Sequence, residues 1–371
     1  MNLNNLTVRN YRNYEDQKFC FDPGVNLIVG ENAQGKTNLL EAICYLGSGR
    51  SFRSQKTGEL IRLGEDFGEL EGSVFSQERE QTLRWILFSQ RRQRQLYRNG
   101  VKQKTTAGIS GVLQTVLFCP EDLMILKGGS SQRRKLADSA LCQLRPNYEA
   151  ALLEYQKILE QKSSILKNRY EQPALLKILP EYNARLCRVG AVMISYRARF
   201  FEGLLREAKK YHTMFSGGLE EFSLTYKTVS TVENPFASTE ELTLALESHL
   251  QSHYQAELES GQCLTGPHKD DFEVTLNGLP VKSFGSQGQV RTATISLKLA
   301  QRDLMEKETG ELPVLLLDDV LSELDGSRQD FVLNQIRRGQ VFITCCDPDR
   351  FTQLGKTIKI QKGKLSETEN P

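Results

Sequence analysis

Residues 30–37 read GENAQGKT, an instance of G-x-x-x-x-G-K-[ST]. Nothing else in the chain constrains its fold as tightly. Glycines at 30 and 35 let the backbone curl so that its N–H groups face phosphate oxygens, and the arrangement works where the loop leaves a buried strand and opens a helix. Both flanks comply. Val25–Val29 is a short apolar run ending at Gly30, which predicts a buried strand. Thr37–Leu46 (TNLLEAICYL) is apolar at helical spacing, with Gly47 behind it as a stop. The loop and first turn (Gly30, Glu31, Asn32, Ala33, Gln34, Gly35, Lys36, Thr37 and Asn38) are therefore expected to cradle ATP. Lys36 would reach the β- and γ-phosphates, and the Thr37 hydroxyl would ligate Mg²⁺.

Val314–Asp325 reads VLLLDDVLSELD. Four apolar residues ending in Asp318 have the form of a Walker B strand, whose carboxylate holds the metal and its water shell opposite Thr37. Asp319 follows, where a carboxylate can orient or deprotonate the attacking water. An apolar run ending in two acids is a weak signal alone and a strong one after a phosphate loop. Residues 283–289, SFGSQGQ, precede the helical stretch Val290–Glu306. Here Ser286, Gln287, Gly288 and Gln289 resemble the Ser-Gly-Gly-Gln signature of ABC ATPases. A serine hydroxyl, glycine N–H groups and a helix N-terminus together attract an anion; a polar loop that merely caps a helix is the alternative. In ABC proteins the signature touches the γ-phosphate held by the other subunit, so the resemblance implies a homodimer joined by ATP. Ser322–Asp325 (SELD) resembles the D-loop and adds Asp325 to the nucleotide-proximal candidates. ABC transporters carry a histidine after the strand that follows Walker B. Here Val341–Ile343 is followed by Thr344, which can hydrogen-bond phosphate or water but holds no positive charge. That feature, and Asp319 in place of the longer glutamate, predict slow hydrolysis.

These motifs, in this order, predict an α/β fold: an ABC-type P-loop ATPase head of mixed sheet and helices, interrupted by a mostly helical arm. Strands are expected at Leu3–Val8, at Cys20–Phe21 and across 67–104, where Asn99-Gly100 between Gln95–Arg98 and Val101–Lys104 signals a hairpin. From about 121 to 211 the chain reads as helical, with Pro146, Pro173 and Pro180 at helix boundaries. Strands return at Phe272–Leu276, Val314–Leu317 and Val341–Thr344. The head is thus drawn as 1–118 plus 262–371 and the arm as 119–261. Lys36 and Ser286 lie 250 positions apart, more than a transport cassette uses and far fewer than the coiled-coil arms of chromosome-maintenance ATPases.

Composition excludes some classes. Basic and acidic residues number 48 and 46, a net +2 that is silent on partners because charge can segregate into patches. No apolar run approaches a membrane span, and the N-terminus MNLNNLTVRNYRNYED lacks a signal-peptide pattern. Eight cysteines without a CxxC pair and four scattered histidines argue against zinc. A cytoplasmic protein with reduced thiols and no membrane partner is expected.

Nearly the whole chain then resembles the RecF family of bacterial recombination-repair ATPases. The blocks VRNYRNY, GENAQGKTNLLEAI, GRSFRS (49–54), VLFCPEDL (116–123), GGSSQRRKLAD (128–138), TGPHKDDFEV (265–274), SFGSQGQVRT (283–292) and LLLDDVLSELD (315–325) occur in that family's order. Gln132 and Lys269 stand where the family often has proline and arginine. The resemblance implies a weak Mg-dependent ATPase that switches DNA repair and replication. An ATP-driven dimer would clamp DNA, duplex and single-strand/duplex junctions, and help load recombinase, with hydrolysis as release. Its implied partners are RecR, RecO and, indirectly, RecA. The resemblance also places the Q-loop near Phe118–Asp122, where Pro120 and Glu121 stand rather than glutamine.

Candidate DNA contacts are Arg91, Arg92, Arg94, Arg98, Lys102 and Lys104 on the acid-free stretch Gln90–Lys104, with Arg133 and Arg134 as a second cluster. Such residues track phosphates; a solvated hairpin face and a brace for the arm are the competing readings. Arg50 and Arg53, flanking Phe52, are read either as nucleotide-proximal or as a salt-bridged core edge. His268 beside Asp270-Asp271 is read as a structural turn rather than a metal set. A nucleotide-switched scaffold or transport cassette without DNA function is the competing class and predicts indifference to DNA. A GTPase would need an NKxD motif, which the sequence lacks.

Overall fold

The structure, a computed structural model, describes residues 1–54, 56–89, 93–346 and 352–366. In chain order the elements are β1 (Asn2–Tyr11), β2 (Tyr14–Cys20), β3 (Val25–Val29), α1 (Lys36–Ser48), β4 (Phe67–Ser76), β5 (Arg79–Phe88), β6 (Gln95–Arg98), β7 (Val101–Gln103) and β8 (Thr115–Phe118). Then follow α2 (Ser130–Leu144), α3 (Pro146–Lys167), α4 (Leu179–Ser216), β9 (Phe222–Lys227), α5 (Thr239–Ser260), β10 (Asp271–Leu276), β11 (Leu279–Pro280) and α6 (Val281–Phe284). The last are α7 (Gln287–Thr309), β12 (Val314–Leu317), α8 (Gly326–Gln335), β13 (Val341–Cys345), β14 (Lys356–Gln361) and β15 (Lys364–Leu365). Two compact units result: Met1–Leu123 with Lys298–Pro371, and Met124–Leu297.

The first unit has two sheets. One is antiparallel, ordered β2-β1-β4-β5-β6-β7. Its long strands β4 and β5 alternate buried and half-buried positions, as expected when one face meets the core. The other is ordered β15-β14-β3-β13-β12-β8 and is parallel from β14 to β8. Its strands VNLIV, VLLL and VFITC are apolar with almost no alternation and are buried nearly throughout, the pattern of strands covered on both faces. Helix α1 packs into one core with side chains from both sheets: Leu39, Leu40, Ile43 and Leu46 meet Leu6, Leu70, Val74 and Leu83 of one sheet and Ile28, Leu316 and Phe342 of the other. A Cβ on Gly47 would come within 2.3 Å of the Leu113 carbonyl oxygen, and one on Gly72 within 2.5 Å of Leu46 Cδ2, so both positions exclude larger residues.

The second unit packs α2–α5 with the sheet β11-β10-β9. Strand β10 pairs antiparallel with β9, Phe272 opposite Tyr226, so the segment 262–297, drawn with the head from sequence, belongs to the same compact unit as the helices. Proline stands at the start of α3 and within the first turn of α4, where its missing N–H costs nothing. Ser238 and Glu241 form a reciprocal capping box at α5. Strand β2 covers Tyr14–Cys20, ahead of the strand expected at Cys20–Phe21, because in the polar segment YEDQKFC only Tyr14 and Phe19 are buried.

TGPHKDD is the polar core of this unit. Buried Arg197 bonds Asp138, Asp270 and the Pro267 carbonyl, and Tyr226 donates to Asp270. Lys162 and Glu257, both fully buried, pair at 2.6 Å. His268 accepts from the Tyr155 hydroxyl at Nδ1 (2.7 Å) and donates from Nε2 to the Cys263 carbonyl (3.0 Å). The histidine is thus a neutral strut within a turn.

Burial, reinforced by the charge of Lys269, pushes the His268 pKa down to about 4. The unfolded chain binds this proton at a higher pH than the folded one, so the stability is present above about pH 6.5 and is lost as the pH falls toward 4. Between pH 7 and 4.5 the loss should be about 2 kcal/mol, read as a falling urea midpoint. His268→Gln should flatten that slope; an unchanged slope would place the titration elsewhere.

Candidate active site

The phosphate loop is fixed by contacts from three directions. Lys36, almost fully buried, donates from Nζ to the carbonyls of Gly30 (2.6 Å) and Glu31 (3.1 Å) and lies 3.2 Å from Cys346 Sγ. The Cys346 thiol also donates to Asn32 Oδ1 (3.1 Å). The turn after β1 supplies a second contact: Asn13 Nδ2 donates to the Gln34 carbonyl and Tyr14 OH to the Gly35 carbonyl, each at 2.9 Å. The β14–β15 turn supplies a third, with Gly363 N–H donating to the Gln34 carbonyl at 3.0 Å. Gly35 has φ 122°, and a Cβ on Gly30 would lie 2.4 Å from the Ile360 carbonyl oxygen, so the two motif glycines are there for conformation and for space respectively. Ala33 sits at φ 62°, a left-handed conformation that costs a non-glycine residue about 1–2 kcal/mol.

Helix α1 begins at Lys36. Asn38 links it outward, donating to Asn13 Oδ1 (2.8 Å) and accepting from Arg53 (2.9 Å). Fully buried Glu41 is gripped by Arg12 through two bonds of 2.7 Å and by the Ser51 hydroxyl. The VRNYRNY, phosphate-loop and GRSFRS blocks, distant in sequence, therefore meet around one carboxylate. Arg53 reaches the nucleotide helix; Arg12, Asn13 and Tyr14 lie in the VRNYRNY block, whose sequence gives no hint of their supporting contacts, and Gly363 joins them from the β14–β15 turn.

Thr37 Oγ1 donates to Asp318 Oδ1 at 2.9 Å, and Thr344 Oγ1 donates to the same oxygen at 3.0 Å. Asp318 ends β12 and is only 7% exposed. Burial raises its pKa above the ordinary value, the charge of Asp319 adds to this, and the two hydroxyls and Arg53 oppose it. Asp319 turns the chain at φ 50°, and its N–H donates to Thr344 Oγ1 at 2.8 Å. A desolvated carboxylate beside a threonine hydroxyl is a hard-oxygen set suited to Mg²⁺. Their 2.9 Å separation matches adjacent ligands of an octahedron with bonds of about 2.0–2.1 Å. Thr37 and Asp318 therefore fit the metal.

Some expected roles change. Strand β13 runs through Cys345, so Thr344 is an internal, buried strand residue whose hydroxyl serves Asp318 and Asp319; the residue after the strand, beside Lys36, is Cys346. Asp325 caps α8, accepting from Arg328 N–H (3.1 Å) and the Ser327 hydroxyl (2.7 Å), and the Ser327 bond leads the contacts that hold its carboxyl well below the usual range. In the second unit, Ser286 caps α7. Its hydroxyl accepts from Gln289 N–H (3.2 Å), and Gln289 Oε1 accepts from Ser286 N–H (2.9 Å). Ser286 and Gln287 are exposed, Gly288 and Gln289 partly so. At the expected Q-loop, Asp122 accepts from Cys119 N–H and pairs with Lys298 at 2.9 Å, while Glu121 is exposed.

The arginine candidates for DNA are largely turned inward. Arg94 donates to Tyr45 OH (2.8 Å) and the Gly49 carbonyl and stacks over Trp85 at 4.9 Å. Arg98 is spent on Gln81 and the Gly108 carbonyl. Arg133, 3% exposed, pairs with Asp271 at 2.5 Å. Phosphate contact would break these bonds, so buried Arg133 and half-buried Arg98 serve as structural residues, whereas Arg94 is exposed as well as bonded within its unit. Arg134 donates to Ser130 and the Asp270 carbonyl and is half-buried. Lys102 and Lys104 are exposed. Arg91 and Arg92 lie outside the described residues.

The RecF/RecN/SMC N terminal domain family matches residues 2–368. DNA replication and repair protein RecF from Acetivibrio thermocellus is 38% identical, with 95% of each chain covered. Its namesake from Desulforamulus reducens is 40% identical over 93% of this chain and 92% of its own. The one from Bacillus subtilis is 38% identical over 98% of this chain and all of its own. Solved structures of the recombination mediator protein RecF-ATPrS in the RecFOR pathway (TM-score 0.91, 35% identity, 98% and 97% of the two chains) and of RecF-ATP (TM-score 0.89, 34%, 99% and 97%) superpose on it. An Smc head domain shares the fold at TM-score 0.55 and 17% identity over 98% and 95% of the two chains.

Thr344→Val should strand the half-buried Asp319 N–H and remove one donor from Asp318, costing about 1–3 kcal/mol. Thermal unfolding should show a lower midpoint for valine and near-recovery for Thr344→Ser. Equal midpoints for valine and wild type would remove Thr344 from this role.

Proposed function

The chain belongs to the RecF family, and we propose that it is a weak Mg-dependent ATPase of DNA replication and recombinational repair. ATP joins two heads around DNA at a single-strand gap or a single-strand/duplex junction, the assembly helps to load recombinase, and slow hydrolysis releases it. The observation that carries this reading is the assembled half-site of the first unit, in which Lys36 stands in a braced loop and Thr37 is hydrogen-bonded to a buried Asp318.

Lys36 would exchange the Gly30 and Glu31 carbonyls for β- and γ-phosphate oxygens. The Thr37 hydroxyl and Asp318 carboxylate would hold Mg²⁺, which neutralises charge on the transferring phosphoryl group. Asp319, fixed through its N–H to Thr344, would orient water at the end of β12. Its carboxylate is one methylene shorter than the glutamate of transporters, and Cys346 offers no cation near the γ-phosphate; both favour slow turnover. A slow switch suits an ATP-bound dimer that must persist on DNA.

Among the described residues, exposed Lys102 and Lys104, on and just after the β6–β7 hairpin, are the proposed phosphate contacts. Binding through phosphates reads structure rather than base sequence. RecO and RecR are proposed as partners, because the RecFOR pathway is where the similar solved proteins act; RecA would follow indirectly.

The test is binding of a labelled gapped duplex at fixed salt, since phosphate-driven affinity falls steeply with ionic strength. Wild type should bind with ATP at least about tenfold more tightly than with ADP or without nucleotide, and Lys36→Ala should lose that gain. Binding indifferent to nucleotide in both proteins would reject the ATP-gated clamp and favour a scaffold.

A further inference from the structure

Two of the signature residues expected to face nucleotide, Ser286 and Gln289, have partners of their own in the second unit. The Gln289 carboxamide is used at both ends: Oε1 accepts the Ser286 N–H, and Nε2 donates to Glu220 Oε1 at 2.7 Å. The other Glu220 oxygen lies 2.8 Å from His212 Nε2. His212 is fully buried near the end of α4 and packs against Phe222, ring centroids 5.2 Å apart. The chain His212–Glu220–Gln289–Ser286 thus runs from a buried anchor to an exposed serine hydroxyl.

Each link fixes the next. The imidazole Nε2–H holds Glu220, so Glu220 presents its second oxygen to Gln289 as an acceptor. Only the Gln289 NH₂ can meet that oxygen, and this sets which way the carboxamide faces. The carbonyl end must then point at Ser286 N–H, closing the reciprocal cap. With its oxygen accepting from Gln289 N–H, the Ser286 hydroxyl keeps its proton to donate elsewhere. Without Glu220, the carboxamide could turn over and place its NH₂ against Ser286 N–H, opening the cap.

We infer that Glu220, anchored by His212, is a positioning residue for the signature loop, presetting Ser286 and Gln289 to receive the γ-phosphate held by a second copy of this chain. The inference rests on the ATP-joined dimer proposed above. The effect of Glu220 on Ser286 passes through Gln289.

The experiment measures two quantities on the full chain: affinity for ATP under conditions that keep it monomeric, and the dimerisation constant by sedimentation with a non-hydrolysable ATP analogue and Mg²⁺. Glu220→Ala should leave nucleotide affinity unchanged and weaken the dimer about tenfold, the loss of one charge-assisted hydrogen bond. Glu220→Gln, whose carbonyl still accepts from Gln289, should recover most of that loss. The inference is overturned if Glu220→Ala dimerises like wild type. It is equally overturned if that variant loses nucleotide affinity, which would make Glu220 a general structural prop, or if Glu220→Gln is no better than alanine. If wild type itself stays monomeric with the analogue, the dimer reading fails first and takes this inference with it.

Discussion

A carboxylate buried at the end of a central strand is expensive, and much of the first unit is arranged around keeping one there. Asp318 survives because two hydroxyls, from Thr37 and Thr344, donate to the same oxygen. One belongs to the first turn of α1 and the other to β13, so a single acceptor ties three elements together. The arrangement leaves Asp318 with hydroxyl partners but with its pKa raised by burial. A divalent cation bound there would reverse that penalty.

Rigidity follows from the packing behind the site. Helix α1 shares a core with both sheets and carries Glu41, fully buried in the grip of Arg12 and Ser51. The loop ahead of it is braced by Asn13, Tyr14 and Gly363. A loop braced in this way would spend little binding energy on ordering, although Lys36 would first have to leave the Gly30 and Glu31 carbonyls. Ala33 in a left-handed conformation is tolerated because its neighbours over-determine the turn.

The sequence makes some of this legible and conceals the rest for physical reasons. The phosphate loop, the β12 strand followed by Asp318, and the Asn99-Gly100 turn are local patterns, and local patterns survive translation into structure. Basic runs do not reveal direction: Arg94, Arg98 and Arg133 look like a phosphate track in sequence, yet each spends its guanidinium on carbonyls or side chains of its own unit. Strand β13 outlasts its apolar run because Thr344 and Cys345 are buried without being strongly hydrophobic, so the residue beside Lys36 proves to be Cys346. The support residues Asn13, Tyr14, Glu220 and His212 act through contacts across the fold that no spacing rule encodes. The place of 262–297 depended on β9 pairing with β10, again a long-range match.

Asp318 and Thr37 should make nucleotide binding dependent on Mg²⁺. The direct measurement is equilibrium titration of a fluorescent ATP analogue, with Mg²⁺ and with chelator, into wild type and Asp318→Asn. Wild type should bind at least about tenfold more tightly with the metal, and the variant should lose that difference while keeping its metal-free affinity. The same metal dependence in both proteins would contradict the account and move the cation site away from Asp318.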